Sequence, residues 1–242
     1  MGSFLNVVIH RVPRGESVVQ PRSSCPSCGT PIANRDNIPV VSWLLLRGKC
    51  RTCRQPISPR YVLVELLTAV LFVGAALRFG ADWALPAYLV FLAGLLALAF
   101  TDFERKLLPL RIVYPVLGLV GALLVLASGA EGHWSKLVPA AAAAAVAFGC
   151  FYAINFMNPQ WMAFGDVRLA AVIGLGLGWL GAAVALMGFF LAFLLGSIVG
   201  ILLIVAKRID RKDHIPFGVF LALGAFIAVF AGRPLVDLYL RH

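Results

Sequence analysis

The sequence predicts an all-α membrane protein, in which a polytopic bundle of helices follows a small cysteine-containing cytoplasmic domain near the N-terminus. Of the 242 residues, 61% are hydrophobic and 13% are charged, and the mean hydropathy is +0.90. Soluble domains carry about 25% charged residues. Long apolar stretches recur from Val62 to the C-terminus, separated by short polar clusters. This pattern is typical of a multi-span helical bundle and lacks the alternation that a β-barrel requires.

The apolar stretches place the predicted spans. We predict spans near residues 61–80, 83–101, 111–129, 137–157, 167–179, 181–206 and 215–232. Residues 61–242 are therefore predicted to form one seven-span transmembrane domain. Four glycines mark a tightly packed or broken region between a short span and a long one: Gly174, Gly176, Gly178 and Gly181.

The positive charges lie mostly on one side of these spans. When successive spans alternate in direction, 17 of the 21 Lys and Arg residues fall on the side that carries residues 10–60. The positive-inside bias makes that side cytoplasmic. The net charge of +10 then reflects topology and contact with anionic membrane lipids, so we expect no nucleic-acid partner.

Residues 1–12 are predicted to be the end of an incomplete first transmembrane helix. The segment 2–9 is apolar but much too short to cross about 30 Å of hydrocarbon. It has no basic segment and no cleavage site that would mark a signal peptide. An upstream start codon or a trimmed sequence would explain the missing part of the helix.

Residues 13–60 are predicted to form a cytoplasmic domain with four cysteine ligands. Cys25 and Cys28 form one C-x2-C pair, and Cys50 and Cys53 form a second. Two such pairs place four thiolates around one tetrahedral zinc ion, in a closed and therefore structural site. The alternative is a pair of disulfides, which a reducing cytoplasm disfavours. Cys150 lies within a predicted span and is expected to be a packing residue.

The remaining chemistry falls to the acidic residues. The four histidines are scattered along the chain, without an H-E-x-x-H pair or an evident serine partner, so zinc-protease and Ser/His/Asp mechanisms have little support. Most of the eleven acids lie in polar loops. Those at cytoplasmic span ends are Glu65, Asp102, Glu104 and Asp166.

Asp102 and Asp166 admit two interpretations. Two carboxylates brought together in a half-desolvated site cannot both ionise easily, so one can act as a general base and the other as a general acid in peptide hydrolysis. Alternatively, Asp102 pairs with Arg105 or Lys106, and Asp166 pairs with Arg168, as interfacial ion pairs. Spacing alone favours the ion pairs.

The motifs around these residues resemble the type IV prepilin peptidase family over almost the whole chain. The resemblance follows the family's order through the segment 2–9 with Arg11 and Pro13, the double C-x2-C, Arg60-Tyr61 with Val64-Glu65-Leu66, Asp102 with Leu108-Pro109, Phe164-Gly165-Asp166 and Ile215-Pro216-Phe217-Gly218. Three positions depart from the family's pattern: Ala163 where a glycine is usual, Leu110 where an acid is usual, and Arg168 where a lysine is usual.

The resemblance implies an aspartic endopeptidase of the cell inner membrane, with Asp102 and Asp166 as its catalytic pair. It implies removal of the basic leader from type IV prepilins and pseudopilins, after a glycine, on the cytoplasmic side. It also implies methyl transfer from S-adenosylmethionine to the new N-terminal residue, usually phenylalanine. Gly165, Glu65 and Asn6 are expected to have supporting roles.

Two other classes of function remain as alternatives. A transporter or channel could use Asp102, Asp166 and Glu65 as a proton or cation path, which predicts acids distributed across the bilayer. A non-enzymatic scaffold could dock a partner or anionic lipid through its basic zinc domain. The acids gather at one predicted face of the membrane, and this argues against the transporter.

Overall fold

The structure is a computed structural model, which describes residues 2–20, 24–25, 27–32, 40–207 and 216–240. The chain divides into two compact units, one reaching to Gly74 and the other beginning at Ala75. Among the described residues the regular structure is helical, apart from two isolated β-bridges. The helices are α1 (Gly2–Arg11), α2 (Val41–Leu45), α3 (Pro59–Phe79), α4 (Leu85–Arg105), α5 (Leu110–Glu131), α6 (Leu137–Met157), α7 (Phe164–Leu180), α8 (Ala182–Val205) and α9 (Phe217–Leu240).

The predicted helical membrane fold is confirmed, and the predicted count of seven spans stays a prediction. Each predicted span coincides with one of the helices α3 to α9. By length and composition, six helical segments of the described chain are able to cross a membrane: Pro59–Phe79, Leu85–Arg105, Leu110–Glu131, Trp134–Met157, Ala182–Val205 and Phe217–Tyr239. The seventh, α7, has 17 residues. At 1.5 Å per residue it extends about 26 Å, which is less than the hydrocarbon thickness of about 30 Å.

Helix α7 lies at the core of the second unit. Twelve of its 17 residues are buried, including Asp166 in its first turn. Its glycines allow close packing against α6, because a Cβ on Gly174 would lie 2.6 Å from the carbonyl oxygen of Ala143 and a Cβ on Gly178 would lie 2.6 Å from Ala143 Cβ. The glycine-rich segment is therefore a tightly packed helix, which only breaks at Gly181.

Polar side chains between α4, α5 and α7 are hydrogen-bonded within the bundle. The Tyr88 hydroxyl donates to the carbonyl of Gly176 at 2.7 Å, and the Trp179 indole donates to the Ser128 hydroxyl at 3.4 Å. Tyr88 is 1% exposed and stacks on Phe79 with ring centroids 4.2 Å apart. Buried polar groups are costly without partners, and these contacts fix the register of α7 against α4 and α5.

In the first unit, α1 runs along the start of α3. A Cβ on Gly2 would lie 2.8 Å from Glu65 Cα, and the Asn6 side-chain amide donates to the carbonyl of Tyr61 at 3.0 Å. The pairing of residue 2 with 65 and of residue 6 with 61 makes the two helices antiparallel here. The glycine at position 2 permits the close approach, since any side chain would meet the α3 backbone.

Candidate active site

Asp102 lies in the last turn of α4 with its side chain directed into the protein. The residue is 6% exposed, and the helix ends four residues later, where Lys106 takes a left-handed conformation and its N–H donates to the carbonyl of Asp102 at 2.7 Å. The backbone N–H groups of Gly218 and Val219 donate towards the Asp102 carboxylate. Those groups belong to the first turn of α9, where N–H groups lack helical partners and favour a negative charge.

One oxygen of this carboxylate is left without a partner. Asp102 Oδ2 is buried and accepts no hydrogen bond within the described part of the chain. The backbone of α9 approaches it so closely that a Cβ on Gly218 would lie 2.8 Å away. A buried carboxylate oxygen normally has a hydrogen-bond partner, so Oδ2 offers an acceptor for a water or a substrate proton.

Asp166 occupies the third position of α7, after Ala163, which precedes the helix in an extended conformation with φ −69° and ψ 142°. Its N–H donates to the Ala163 carbonyl at 3.0 Å, and the Ala163 N–H donates to its carboxylate. This reciprocal arrangement resembles a capping box and holds the side chain at the helix start. Asp166 is 7% exposed.

The two carboxylates are close enough to interact electrostatically. Burial, and after it the negative charge of Asp102, raises the pKa of Asp166 from its ordinary value of 3.8 to about 7, against the hydrogen bond from Ala163. Leu108 packs between the two helix starts that form the site. A Cβ added to Gly165 would lie 3.0 Å from Leu108 Cβ, and a Cβ added to Gly218 would lie 3.3 Å from Leu108 Cδ2. The fold thus brings together two aspartates that are 64 positions apart in the sequence.

The alternative interpretation of Asp166 as a member of an ion pair does not match its contacts. The Arg168 guanidinium lies over the Phe164 ring, 4.2 Å from its centroid, and 5.9 Å from the centroid of the Tyr114 ring. Among the described residues, no Lys or Arg nitrogen is recorded within 4.0 Å of either aspartate. Lys106 acts on Asp102 only as a nearby charge.

The predicted supporting residues occupy two places. Gly165 lies beside the aspartate pair and leaves room for Leu108. Asn6 and Glu65 lie in the first unit, at the contact of α1 with α3. Glu65 accepts a hydrogen bond from the Val40 N–H at 2.9 Å.

The four predicted metal ligands come together in the first unit. The sulfur atoms of Cys25, Cys28, Cys50 and Cys53 lie within 4.8 Å of one another. The Cys25 and Cys53 sulfurs are 3.7 Å apart, close to the value of about 3.8 Å for two thiolates on a tetrahedral zinc with Zn–S bonds of about 2.3 Å. All five cysteines of the chain are free thiols. The cluster therefore fits a metal ion. A hydrogen bond with the Thr30 hydroxyl lowers the pKa of the Cys28 thiol to about 6.

Sequence reasoning missed the contribution of α9 to the site. Gly218 was included in a motif, but the hydrogen bonds from Gly218 and Val219 to Asp102 could not be deduced. The available signal was Pro216, since a proline next to the start of an apolar run marks a helix N-terminus. Ile215, the first residue of that motif, lies outside the described residues, as does the basic cluster of Arg208, Arg211 and Lys212.

Comparisons with known proteins agree with these motifs. Residues 1–79 match the model of the bacterial peptidase A24 N-terminal domain, and residues 89–205 match that of the type IV leader peptidase family. The prepilin leader peptidase/N-methyltransferase of Aeromonas hydrophila is 36% identical over 100% of this chain and 91% of its own length. Relatives of the same name from Myxococcus xanthus and Bacillus subtilis are 42% and 32% identical, over 85% and 100% of this chain and 61% and 94% of their own lengths. No solved structure matches the chain significantly.

Proposed function

The chain belongs to the type IV leader peptidase family, and on that premise we propose that it cleaves leader peptides from type IV prepilins and pseudopilins with Asp102 and Asp166 as its catalytic carboxylates. It is a multi-pass inner-membrane protein. The observation that carries the proposal is the buried, electrostatically coupled pair of aspartates at neighbouring helix ends.

The surroundings of the two aspartates suggest different roles. Asp102 faces the N–H groups at the start of α9, which favour its charged form, and its Oδ2 has no partner in the described chain. This oxygen is suited to accept a proton from the attacking water. Asp166, with a pKa of about 7, is protonated in about half of the molecules at neutral pH, and in that form it is suited to donate its proton to the carbonyl oxygen of the scissile peptide.

In this mechanism each carboxyl group of the pair gains one proton and gives up one proton during one hydrolysis. The water oxygen forms a bond with the carbonyl carbon as its proton passes to Asp102 and the Asp166 proton passes to the carbonyl oxygen. Collapse of the tetrahedral intermediate breaks the C–N bond, and the proton held by Asp102 goes to the leaving amine. The hydroxyl proton of the intermediate returns to Asp166, so both carboxyl groups regain their starting state.

The proposal places this site at the cytoplasmic membrane surface. Asp102 lies in the last turn of α4, and Asp166 and Gly218 lie in the first turns of α7 and α9. Arg105 and Lys106 lie at the end of α4. The positive-inside bias supports a cytoplasmic position. The gathering of both acids at one end also disfavours a transporter, which would need polar groups through the bilayer.

A second activity is proposed in which the new N-terminal amine, usually that of phenylalanine, is methylated. The relatives are named prepilin leader peptidase/N-methyltransferase, and this supports the second activity. S-adenosylmethionine, when bound, would supply the methyl group, which its positively charged sulfonium sulfur carries. Cys25, Cys28, Cys50 and Cys53 would hold a structural zinc ion, which ties together a cytoplasmic segment too small for a large apolar core.

The test is a processing assay on the purified protein in lipid with a prepilin substrate. Asp102→Asn and Asp166→Asn should each lower the cleavage rate by at least about 10³-fold, since each removes a proton-transfer group that cannot be replaced. Glu104→Gln is the matched control, because Glu104 is an exposed acid only two positions from Asp102. Wild-type cleavage rates in both aspartate variants would refute the assignment.

A further inference from the structure

A second polar site lies in the first unit, at the antiparallel contact between α1 and α3. Asn6 is 3% exposed. Its amide nitrogen donates to the Tyr61 carbonyl at 3.0 Å, while its Oδ1 is buried and accepts no hydrogen bond within the described part of the chain. A buried acceptor without a hydrogen bond lowers the stability of the folded state by about 1–3 kcal/mol. A ligand with a hydrogen-bond donor could satisfy Asn6 Oδ1, which has no donor among the described residues.

Glu65 lies at the same contact between α1 and α3, one helical turn away from Tyr61. Tyr61 and Glu65 are four positions apart on α3, and Gly2 and Asn6 are four positions apart on α1, so both pairs face each other across the contact. The Cβ and Cγ of Glu65 lie within 3.3 Å of the place where a Cβ on Gly2 would be. The Glu65 side chain therefore lies against α1, at the same helix contact that contains Asn6.

The Glu65 carboxylate is held in place by one backbone group. Its Oε2 accepts the Val40 N–H at 2.9 Å, and Val40 has φ 61° and ψ −50°, an unfavourable conformation for a β-branched residue. Such strain persists where the surroundings over-determine it, and it is concentrated at functional sites. One hydrogen bond leaves the carboxylate with further acceptor capacity.

The chemistry of these two groups selects a cationic donor. Asn6 offers an amide oxygen and Glu65 offers a carboxylate. Their backbone positions differ by about one helical turn, about 5.4 Å, along the contact between α1 and α3. Both groups are hydrogen-bond acceptors, and a positively charged N–H donor forms stronger bonds with such acceptors than a neutral donor does. A primary ammonium group has the charge, the size and the number of donors for such a place.

We propose that Asn6 and Glu65 bind the α-ammonium group of the cleaved pilin during methyl transfer, with Glu65 as the proton acceptor. This inference deepens the proposed function and rests on its second activity. Glu65 takes one proton from the ammonium group, and the freed nitrogen lone pair forms a bond with the methyl carbon of the sulfonium donor. The carbon–sulfur bond breaks and its electrons remain on sulfur as a thioether, while the methylated nitrogen keeps its two protons and leaves as a secondary ammonium group.

The test uses a synthetic peptide that begins with phenylalanine, so that no cleavage step is needed. The purified full chain in lipid nanodiscs should bind the peptide with a free α-amine at least about 10-fold more tightly than the same peptide with an acetylated amine. Glu65→Gln should abolish this difference and lower the methyl-transfer rate by about 100-fold or more. Gln keeps an oxygen that can accept the Val40 N–H, so the local fold is preserved.

Asn6→Leu should likewise abolish the preference for the free amine. Glu16→Gln is the control, since it removes an exposed acid from the same unit, and Asp102→Asn should also keep the preference. Retained metal content and an unchanged thermal transition would show that the variants are folded.

Equal wild-type affinity for both peptides, or a preference that survives in Glu65→Gln, would overturn the proposal and leave a structural polar contact. Failure of the wild type to cleave prepilin would instead refute the peptidase assignment alone.

Discussion

At the scale of single residues, two chemically identical side chains differ because their backbone surroundings differ. Asp102 ends a helix and faces the N-terminus of another, α9. Asp166 begins a helix but is buried beside the charge of Asp102. Like charges at short range cannot both form easily, so we expect the pair to carry one proton near neutral pH.

The protonation of Asp166 makes a prediction about pH. Its pKa in the folded protein, about 7, lies above its ordinary value of 3.8, so the folded state binds more protons between these values. The stabilising contribution is therefore present at acid pH and is lost as the pH rises through about 7. The cleavage rate should fall over the same upper range, because the proton donor is lost, and this is measured as a pH–rate profile in nanodiscs.

The same shift should appear in thermal unfolding. The wild-type transition temperature is expected to fall as the pH is raised from about 5 to about 8, and Asp166→Asn should reduce this fall. Asp102→Asn should also reduce it, since removing the neighbouring charge lowers the pKa of Asp166. An Asp166→Asn variant with the full wild-type pH dependence would contradict the assignment of the titrating group.

A glycine controls the position of Asp102. In Gly218→Ala, the new Cβ would lie 2.8 Å from Asp102 Oδ2, closer than van der Waals contact allows, so the carboxylate must move. Displacements of about 1 Å can cost about 100-fold in rate, and we expect a loss of at least about 10-fold in kcat for leader cleavage. Gly149→Ala is the matched control, because nothing lies within 4 Å of its Cβ position, and it should cleave normally.

At the scale of elements, the two cysteine knuckles are built alike. The Cys25 N–H donates to the Thr30 carbonyl and the Gly29 N–H donates to the Cys25 carbonyl, at 3.0 and 2.9 Å. The second knuckle repeats this pattern with Cys50, Gln55 and Arg54, at 2.8 and 3.1 Å. The fourth residue after each first cysteine has a left-handed conformation, with φ 68° at Gly29 and φ 59° at Arg54.

This repetition predicts opposite effects at equivalent positions. Arg54→Gly should stabilise the metal-bound domain by about 1 kcal/mol, because glycine adopts a left-handed conformation without the cost that arginine bears. Gly29→Ala should destabilise it by a similar amount. The concentration of chelator that removes half of the metal measures both. A decrease in metal retention for Arg54→Gly would show that the arginine side chain, and not its backbone, matters at this position.

The glycines of α7, α8 and α9 have a different purpose, because they permit close approach between helices. A Cβ on Gly224 of α9 would lie 2.4 Å from the carbonyl oxygen of Gly188 in α8. Between membrane helices, small residues allow the backbones to pack closely where the hydrophobic effect gives little attraction. The packing of α8 against α9 and of α6 against α7 thereby fixes the helix starts that carry Gly218 and Asp166.

At the scale of the whole molecule, the two units are stabilised by different means. The first contains a four-thiol cluster and few buried apolar side chains outside its helices. The second is a bundle with a continuous apolar interior that includes Phe91, Leu95 and Leu169. Metal binding supplies folding free energy to small domains, so we expect a metal at the thiol cluster to stabilise the first unit and not the bundle.

Metal removal should therefore act on one unit only. A strong chelator is expected to make residues 24–57 sensitive to protease, while the segment 85–205 remains protected, as mapped by mass spectrometry after limited proteolysis in nanodiscs. A reductant without chelator should leave both segments protected. Sensitivity to the reductant and resistance to the chelator would instead indicate disulfides between the cysteines.

The sequence predicted much of this architecture from simple patterns. The apolar stretches anticipated helices α3 to α9, and the C-x2-C spacing anticipated the thiol cluster, because both signals are local. The count of seven spans stays a prediction, because α7 has 17 residues, at the short end of the range for a helix that crosses a membrane. Elimination left four acids, and the family resemblance then implied Asp102 and Asp166 as the catalytic pair, whereas spacing alone favoured ion pairs with Lys and Arg.

By itself the sequence determined that the chain enters a membrane and which acids and thiols are available for chemistry, because these properties depend on composition and local order. Tertiary structure decided which groups meet. The start of α9 reaches Asp102, Asp166 becomes buried beside it, and Arg168 turns to the Phe164 ring. These outcomes depend on packing between helices far apart in the chain, where the close approach at Gly218 and the burial of Asp166 set the geometry and the charge of the site.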